Sequence, residues 1–185
     1  MGTKEELEAW RMRRYDVEKF DSVLEYLPKK GELLDYACNV GTFVRYIREK
    51  YPEIKTWGTD ISVDELDHAI ELDPDSTYFH IDEKIDKKFD ILTMMEVVEH
   101  LPNTEQYFQE VVRRYLKDGG HLVITTPREV FPQGQHIQIW DYNRLFTFMW
   151  YYIGTDNVSF KYHPGDNTML AYCKVNYKSK FAVDL

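Results

Sequence analysis

Glutamate and histidine side chains in the middle of the sequence have the types and spacing that could support catalysis. Glu96, Glu99 and His100 follow the apolar run at 89–95, and His136 lies beyond the next apolar run. A histidine, whose ordinary pKa is about 6.5, is suited to removing a hydroxyl proton near neutral pH. Carboxylates and imidazoles can also ligate a divalent cation. A third interpretation is that Glu99 and His100 only begin a structural turn, and the sequence leaves the three open.

Acidic side chains at the ends of three other apolar runs have the spacing of a nucleoside-binding site. Asp35 precedes the segment 37–41 (Ala-Cys-Asn-Val-Gly), whose small residues let the backbone approach a ligand closely. Asp60 ends the next run, where an acid can accept hydrogen bonds from both ribose hydroxyls. Asp82 follows the third run and could accept a hydrogen bond from an adenine amino group. One such acid alone is most often a solvated strand end, but three in register favour a nucleoside ligand.

Apolar patterning places these residues on alternating strands and helices. Strands are predicted at 32–37, 54–60, 77–81, 89–95 and 121–126, and helices at 4–27, 41–51, 62–72, 103–116 and 141–152. This alternation predicts a parallel sheet with helices on both faces and a ligand site at the carboxyl ends of the strands. Two more strands, at 158–162 and 169–175, are joined by a turn and must be antiparallel, because a parallel crossover needs about a dozen residues. The predicted fold is α/β: a doubly wound, seven-stranded, mostly parallel sheet with one antiparallel hairpin strand.

Capping and turn residues mark the ends of some of these elements. Ser62 and Glu65 have the spacing of a capping box, and Asn103 is expected to cap the helix that follows it. The sequence Asp-Gly-Gly at 118–120 is expected to form a turn before the fifth strand.

Length, charge and cysteine content limit the organisation, the partners and the compartment. The 185 residues suit one compact domain, with 1–29 as a helical cap and 30–185 as the ligand-binding part. A formal net charge of −9 repels phosphate backbones, so nucleic acid is an unfavourable partner. Cys38 and Cys173 form neither a disulfide framework nor a zinc spacing, which suits a cytoplasmic protein. No run approaches about 18 consecutive apolar residues, so no membrane span is expected.

Four motifs in order carry a resemblance to a known family. They are LLDYACNVGTF at 33–43, GTDIS at 58–62, FDILTMMEVVEHLPN at 89–103 and LKDGGHLVITTP at 116–127. With them, the region 30–176 resembles the small, single-domain type of class I S-adenosylmethionine-dependent methyltransferase. The resemblance implies a Rossmann-like sheet with strand order 3-2-1-4-5-7-6, S-adenosylmethionine as the methyl donor, and methyl transfer as the reaction.

The resemblance also assigns residues to the donor site. Asp35 would order the loop, Ala37 would offer its backbone carbonyl to the donor's ammonium group, and Asp60 would bind the ribose. The full set that it implies for the donor is Asp35, Ala37, Asn39, Gly41, Asp60, Ile61, Asp82, Met95 and Glu96. Ala37 and Asn39 stand where the family usually has glycine. Alanine adds little bulk and asparagine tolerates a left-handed backbone, so we expect an intact loop.

A second resemblance concerns the glutamates and histidines. Glu96, Glu99, His100 and His136 resemble the two-Glu, two-His metal site of small-RNA terminal 2′-O-methyltransferases, and some quinone-pathway O-methyltransferases have a similar Glu-x-x-Glu-His run. Such a site would hold a divalent cation: carboxylates suit magnesium, and imidazoles suit manganese, cobalt or zinc. Without a cation, the catalytic residues would be His136, His100 and Glu99, with His136 or His100 as the general base.

The acceptor is expected to be a small hydroxylated molecule, such as a sugar, a phenol or a polyketide, methylated on oxygen. The Asn-Pro-Pro-Tyr-like run of adenine and cytosine methylases is replaced by Glu-Val-Val-Glu at 96–99. The segment 128–140, with Phe131 and Trp140, could form the wall of a small pocket. Two alternatives remain open: a metal-dependent RNA 2′-O-methyltransferase, and a non-catalytic partner subunit that binds S-adenosylmethionine.

Overall fold

A computed structural model describes residues 14–83, 85–128, 134–153, 158–163 and 167–177 of the chain. Along these residues the elements are α1 (Arg14–Leu24), β1 (Gly31–Tyr36), α2 (Thr42–Lys50), β2 (Ile54–Asp60), α3 (Val63–Leu72), β3 (Thr77–His80), β4 (Phe89–Met95), a 3-10 helix (Val98–His100), α4 (Thr104–Tyr115), β5 (Leu116–Pro127), α5 (Tyr142–Ile153), β6 (Val158–His163) and β7 (Thr168–Lys174). Strands and helices alternate as far as α5, except that β4 follows β3 without an intervening helix in the described residues, and the apolar pattern likewise predicts no helix there.

The strands form one seven-stranded sheet in the order β3-β2-β1-β4-β5-β7-β6. β2 is parallel to β1 and to β3, and β4 is parallel to β5. β7 is antiparallel to both β5 and β6, as expected for two strands joined by a turn. The order and the hairpin confirm the predicted doubly wound fold, with helices packed around the sheet.

Two local predictions at helix starts had different outcomes. The Ser62 hydroxyl accepts a hydrogen bond from the Glu65 N–H at 3.3 Å, so Ser62 caps α3 as predicted. Asn103 is the N-cap residue of α4, as predicted, and its carbonyl accepts the Tyr107 N–H at 3.1 Å, but its side chain makes no capping hydrogen bond. The Thr104 hydroxyl donates to the Leu101 carbonyl at 2.7 Å, which ties the first residue of α4 to the turn that precedes the helix.

The fifth strand begins earlier than the sequence predicts. β5 starts at Leu116, and the Asp-Gly-Gly segment at 118–120 lies within the strand rather than forming a separate turn. The Gly119 N–H donates to the Val175 carbonyl at 2.8 Å, and the Val175 N–H donates to the Gly120 carbonyl at 2.9 Å. A register shift in the pairing with β4 accommodates the extra residues. Pairing with Val175 therefore overrides the local turn preference.

The chain divides into two compact units, residues 1–86 and 87–185. Fully buried side chains in the first unit include Val23, Leu33, Leu34, Val44 and Ile47, and those in the second include Phe89, Ile91, Leu92, Phe108, Leu122 and Ile124. In the first unit Phe20 of α1 contacts Phe43 and Tyr46 of α2, with ring centroids 4.9 and 5.4 Å apart. The helical cap at 1–29 stays a prediction, since residues 1–13 lie outside the described part.

Two further observations concern membranes and thiols. None of the helices in the described residues is both long and apolar enough to cross a bilayer. Cys38 and Cys173 are both buried and neither forms a disulfide.

Candidate functional site

The loop between β1 and α2 has an alternating backbone conformation. Ala37, Asn39 and Gly41 have φ angles of 61°, 54° and 68°, in the left-handed region that side chains with a Cβ rarely adopt. The Cys38 N–H between them donates to the Thr59 carbonyl at 2.9 Å, which ties the loop to β2. The loop thus keeps a conformation typical of glycine at two positions that are not glycine, as the sequence predicts for Ala37 and Asn39.

Asp60, the last residue of β2, holds this loop through its carboxylate. Its Oδ2 accepts a hydrogen bond from the Asn39 N–H at 2.8 Å, and its Oδ1 accepts one from the Ser62 N–H at 3.0 Å. The residue is buried. Each carboxylate oxygen can accept a second hydrogen bond, so Asp60 could bind ribose hydroxyls as well as the loop. The ribose contact stays a prediction, and the contact with the loop is one that the sequence did not predict.

The ends of β2 and β3 are joined by His80, to which the sequence assigned no role. Its Nε2 lies 2.9 Å from the Ile61 carbonyl, and its Nδ1 accepts a hydrogen bond from the Asp82 N–H at 3.3 Å. The Asp82 side chain is 88% exposed, with Oδ2 3.6 Å from the His80 ring. Ile61 is 74% exposed and offers apolar surface next to Asp60. An acceptor for an amino group and an apolar side chain are therefore available for an adenine ring.

Tyr78 of β3 contacts the loop and limits what can replace its last glycine. A Cβ placed on Gly41 would lie 2.5 Å from the Tyr78 hydroxyl oxygen, which is shorter than any van der Waals contact between carbon and oxygen. Burial raises the pKa of Tyr78, and burial followed by the charges of Asp35 and Asp60 raises the pKa of Cys38 well above its ordinary value. The Tyr78 hydroxyl and the Cys38 thiol are therefore neutral at physiological pH. The negative charge beside the loop comes from the carboxylates of Asp35 and Asp60.

The start of α2 has a feature that fits a bound carboxylate. Thr42, its first residue, is buried, and its hydroxyl makes no hydrogen bond within the described part of the chain. Side chains at a helix start lean towards the N-terminus, where backbone N–H groups also lack partners. A carboxylate such as that of S-adenosylmethionine would satisfy both kinds of donor. The Thr42 hydroxyl and the start of α2 could therefore bind the carboxylate of the predicted methyl donor.

In the second unit, three of the four predicted metal-ligating residues come together. One ligand atom from each of Glu99, His100 and His136 lies within 4.8 Å of the others. The two imidazole rings meet edge to face with centroids 4.8 Å apart, and His100 Nε2 lies 3.8 Å from Glu99 Oε1. Glu99 is fully buried, whereas His136 is half-buried and His100 is exposed. We call these three residues the Glu-His cluster.

Backbone contacts of the 3-10 helix bring His136 to the Glu-His cluster. The Glu99 carbonyl accepts hydrogen bonds from the N–H groups of Ile137 and Gln138 at 2.9 and 3.0 Å. The His100 Nδ1 lies 3.2 Å from the Gln135 carbonyl. The segment that carries His136 is thus held on both sides of this residue, although about 35 residues of chain separate it from the 3-10 helix.

Glu96, the fourth predicted ligand, is not part of the Glu-His cluster. It adopts a left-handed backbone with φ of 56°, and its Oε1 accepts a hydrogen bond from the Thr125 hydroxyl at 2.7 Å. The next residue, Thr126, donates in the same way to Glu99 Oε2 at 3.0 Å. Sequence reasoning missed both threonines, because a β-branched residue in a buried strand is ordinary. The roles predicted for Met95 and Glu96 at the donor stay predictions.

The ligand atoms of the Glu-His cluster fit some divalent cations better than others. One carboxylate and two imidazoles suit manganese, cobalt or zinc better than magnesium, which prefers oxygen ligands. The cluster also fits the alternative without a cation, in which the carboxylate and His100 orient His136 as a base.

The prediction that Trp140 lines an acceptor pocket does not agree with its position. Trp140 is 1% exposed, its ring lies 5.1 Å from that of Phe148, and the Arg144 guanidinium covers it at 4.3 Å. Trp140 is therefore a core residue of the second unit. Phe131 lies outside the described residues.

Comparison with known proteins connects this geometry to a family. A family model described as a methyltransferase domain matches residues 7–156. The solved structure of the PH0226 protein of Pyrococcus horikoshii OT3 is similar, with 19% identity over 88% of this chain and 91% of that chain and a TM-score of 0.70. A TehB-like SAM-dependent methyltransferase of Corynebacterium glutamicum has 16% identity over 93% of this chain and 94% of that chain, with a TM-score of 0.63. The methyltransferase domain of bacterial CtHen1 has 18% identity over 88% of this chain and 100% of that chain, with a TM-score of 0.69. At these identities the structures show a shared fold. No curated protein matches the sequence.

The family match covers most of the chain and includes the loop at 37–41, Asp60 and the Glu-His cluster. The sheet order agrees with the one that the four motifs imply. This chain therefore belongs to the methyltransferase-domain family and is an S-adenosylmethionine-dependent methyltransferase of class I fold.

Proposed function

We propose that this enzyme methylates a hydroxyl oxygen of a small molecule, and that Glu99, His100 and His136 bind the acceptor oxygen through a divalent cation. The observation that carries the proposal is the Glu-His cluster, in which a buried carboxylate and two imidazoles lie within 4.8 Å of one another. Buried carboxylates in proteins are paired or ligate metals. Glu99 already accepts a hydrogen bond from Thr126 on Oε2, and its Oε1 lies 3.8 Å from His100 Nε2. A cation bound between these side chains would therefore meet a carboxylate oxygen that is already held in place.

The chemistry of the Glu-His cluster favours oxygen over nitrogen as the acceptor atom. A neutral amine attacks the donor with its own lone pair, whereas a hydroxyl must lose its proton. In the reaction the bond between sulfur and the methyl carbon breaks as the oxygen–carbon bond forms, the hydroxyl proton passes to solvent water, and the donor leaves as S-adenosylhomocysteine. A cation, when bound, lowers the pKa of the hydroxyl and holds its oxygen in place. Glu99 and the two imidazoles would hold the cation, and the loop at 37–41 would bind the methyl donor.

The acceptor is proposed to be small because the charge of the chain opposes a polyanion. A net charge of −9 weakens binding to phosphate backbones. RNA 2′-O-methylation is the second candidate, and the observation that favours it is the same cluster, which retains three of the four residues of the two-Glu, two-His pattern. A ribose 2′-hydroxyl and a sugar or phenol hydroxyl present the same atom, so the acceptors must be separated by experiment.

The first experiment measures cation binding without any acceptor. The purified chain is treated with EDTA, dialysed, and titrated with Mn²⁺ by calorimetry. One Mn²⁺ per chain is expected, with binding lost in the His136→Ala variant. His121→Ala is the matched control, because His121 is bonded to Tyr172 at 2.9 Å and lies outside the cluster. A wild-type chain that binds no Mn²⁺ would contradict the proposed cation site.

The second experiment identifies the acceptor class. Methyl transfer from radiolabelled S-adenosylmethionine is measured with a catechol, a monosaccharide and a short RNA, with and without EDTA. Labelling of a small hydroxylated acceptor that EDTA abolishes and Mn²⁺ restores is expected. Labelling of RNA that is lost when its terminal ribose lacks the 2′-hydroxyl would favour the second candidate. Activity that survives EDTA would contradict the cation and favour a histidine as the general base.

A further inference from the structure

Two consecutive threonines at the end of β5 each donate a hydrogen bond to a different glutamate. Thr125 donates to Glu96 Oε1 at 2.7 Å, and Thr126 donates to Glu99 Oε2 at 3.0 Å. Both threonines are fully buried. Because successive side chains of a strand point to opposite faces, the two hydroxyls serve different surroundings. Of the two glutamates that they hold, only Glu99 belongs to the Glu-His cluster.

The bond from Thr126 decides which oxygen of Glu99 faces the histidines. The last torsion of a glutamate is broad and roughly two-fold, so the carboxylate plane turns easily unless a partner fixes it. Thr126 occupies Oε2, and Oε1 is the oxygen that lies 3.8 Å from His100 Nε2. A hydroxyl that donates to a carboxylate also stabilises its charged form, which is the form that ligates cations.

We propose that Thr126 is a positioning residue that acts through Glu99 and sets the affinity of the Glu-His cluster for a divalent cation. The inference rests on the proposed function, because it concerns the same cation. Thr125 makes the equivalent bond to a glutamate outside the cluster. It is therefore a matched control at the adjacent position of the same strand.

The test compares three variants by calorimetric titration with Mn²⁺ alone. Thr126→Val keeps the shape of the side chain and removes its hydroxyl, Thr126→Ser keeps the hydroxyl, and Thr125→Val makes the same change at the adjacent residue. Circular dichroism and thermal melting of each variant without Mn²⁺ record whether the fold is intact. If Thr126→Val does not fold, Thr126→Cys replaces it, because a thiol is a much weaker donor of similar size.

Loss of the orienting bond is expected to raise the Mn²⁺ dissociation constant of Thr126→Val by about 10–100-fold, the range typical of groups that orient metal ligands. Thr126→Ser and Thr125→Val are expected to bind as the wild type does. Equal affinities in Thr126→Val and wild type would overturn the positioning role and leave the cation intact. A wild-type chain that binds no Mn²⁺ would overturn both, so the two failures are distinguishable.

Discussion

The loop at 37–41 and the Glu-His cluster are built in different ways. The loop is held by contacts with β2 and the residues just after it, and its shape lies in the backbone: three left-handed residues and an Asp60 carboxylate that accepts two main-chain N–H groups. The Glu-His cluster depends on side chains and on the meeting of three segments, at 96–100, 125–126 and 135–138. The loop is local in sequence, and the cluster is not.

This difference predicts how the two regions respond to substitution. A backbone site tolerates a change of side chain as long as the φ angles remain accessible, which explains how Ala37 and Asn39 can replace glycine. A site made of side chains loses its function when one hydrogen-bonding or ligating atom is removed. We therefore expect the largest effects in the Glu-His cluster and graded effects in the loop.

The largest effect is expected for His136→Ala. Removal of a cation ligand or of a general base is expected to lower kcat by about 10²–10⁴-fold, with little change in donor affinity. Steady-state kinetics on the acceptor that the labelling experiment selects gives kcat, and calorimetry with S-adenosylhomocysteine gives donor affinity. His121→Ala is the control with normal turnover. Normal turnover in His136→Ala would show that the cluster is structural and remove the contrast between the regions.

Asp60→Ala is expected to weaken S-adenosylhomocysteine binding by roughly 1.5–3 kcal/mol, or about 10–150-fold. The variant loses the predicted bond to ribose and also releases the N–H groups of Asn39 and Ser62. Asp82→Ala is expected to have a smaller effect, about 0.5–1.5 kcal/mol, because its side chain is exposed and solvent competes with the ligand. Calorimetry measures both. An Asp82 effect larger than that of Asp60 would reverse the assignment of the two acids.

Gly41→Ala is expected to lower the free energy of unfolding by more than the cost of a left-handed alanine, which is about 1–2 kcal/mol. The excess comes from the contact of the new Cβ with Tyr78. Gly119→Ala isolates the backbone cost, because Gly119 has φ of 76° and no atom within 4 Å of an added Cβ. Urea denaturation of both variants gives the difference. Equal losses would mean that Tyr78 moves aside without cost.

Ala37→Gly is expected to have the smallest effect, a change in stability of under about 1 kcal/mol in either direction. Glycine relieves the cost of the left-handed angle but gives the unfolded chain more conformational freedom. Urea denaturation measures the stability, and calorimetry should show unchanged affinity for S-adenosylhomocysteine. A marked loss of donor affinity would mean that the Ala37 methyl group itself contacts the ligand, so the site would not be defined by backbone alone.

The sequence predicted the bounds of β2 and β4 and the start of α2 to within a residue, because apolar runs and small residues record these features locally. It also predicted the sheet order through the four motifs, and the tolerance of the loop for Ala37 and Asn39. It was wrong at 118–120, where pairing with Val175 outweighs a local turn preference. At Asn103 the predicted N-cap position was right, but no side-chain cap forms.

The residue types of the Glu-His cluster were visible in the sequence, but its membership was decided by tertiary structure. Glu96 and Glu99 are three residues apart and look equivalent, yet only Glu99 reaches the histidines. The separation comes from the left-handed turn at Glu96 and from the two threonines of a distant strand, each of which binds one glutamate. Hydrogen bonds between residues about 27–29 positions apart leave no periodic pattern in the sequence, since they form only when the sheet brings the strands together.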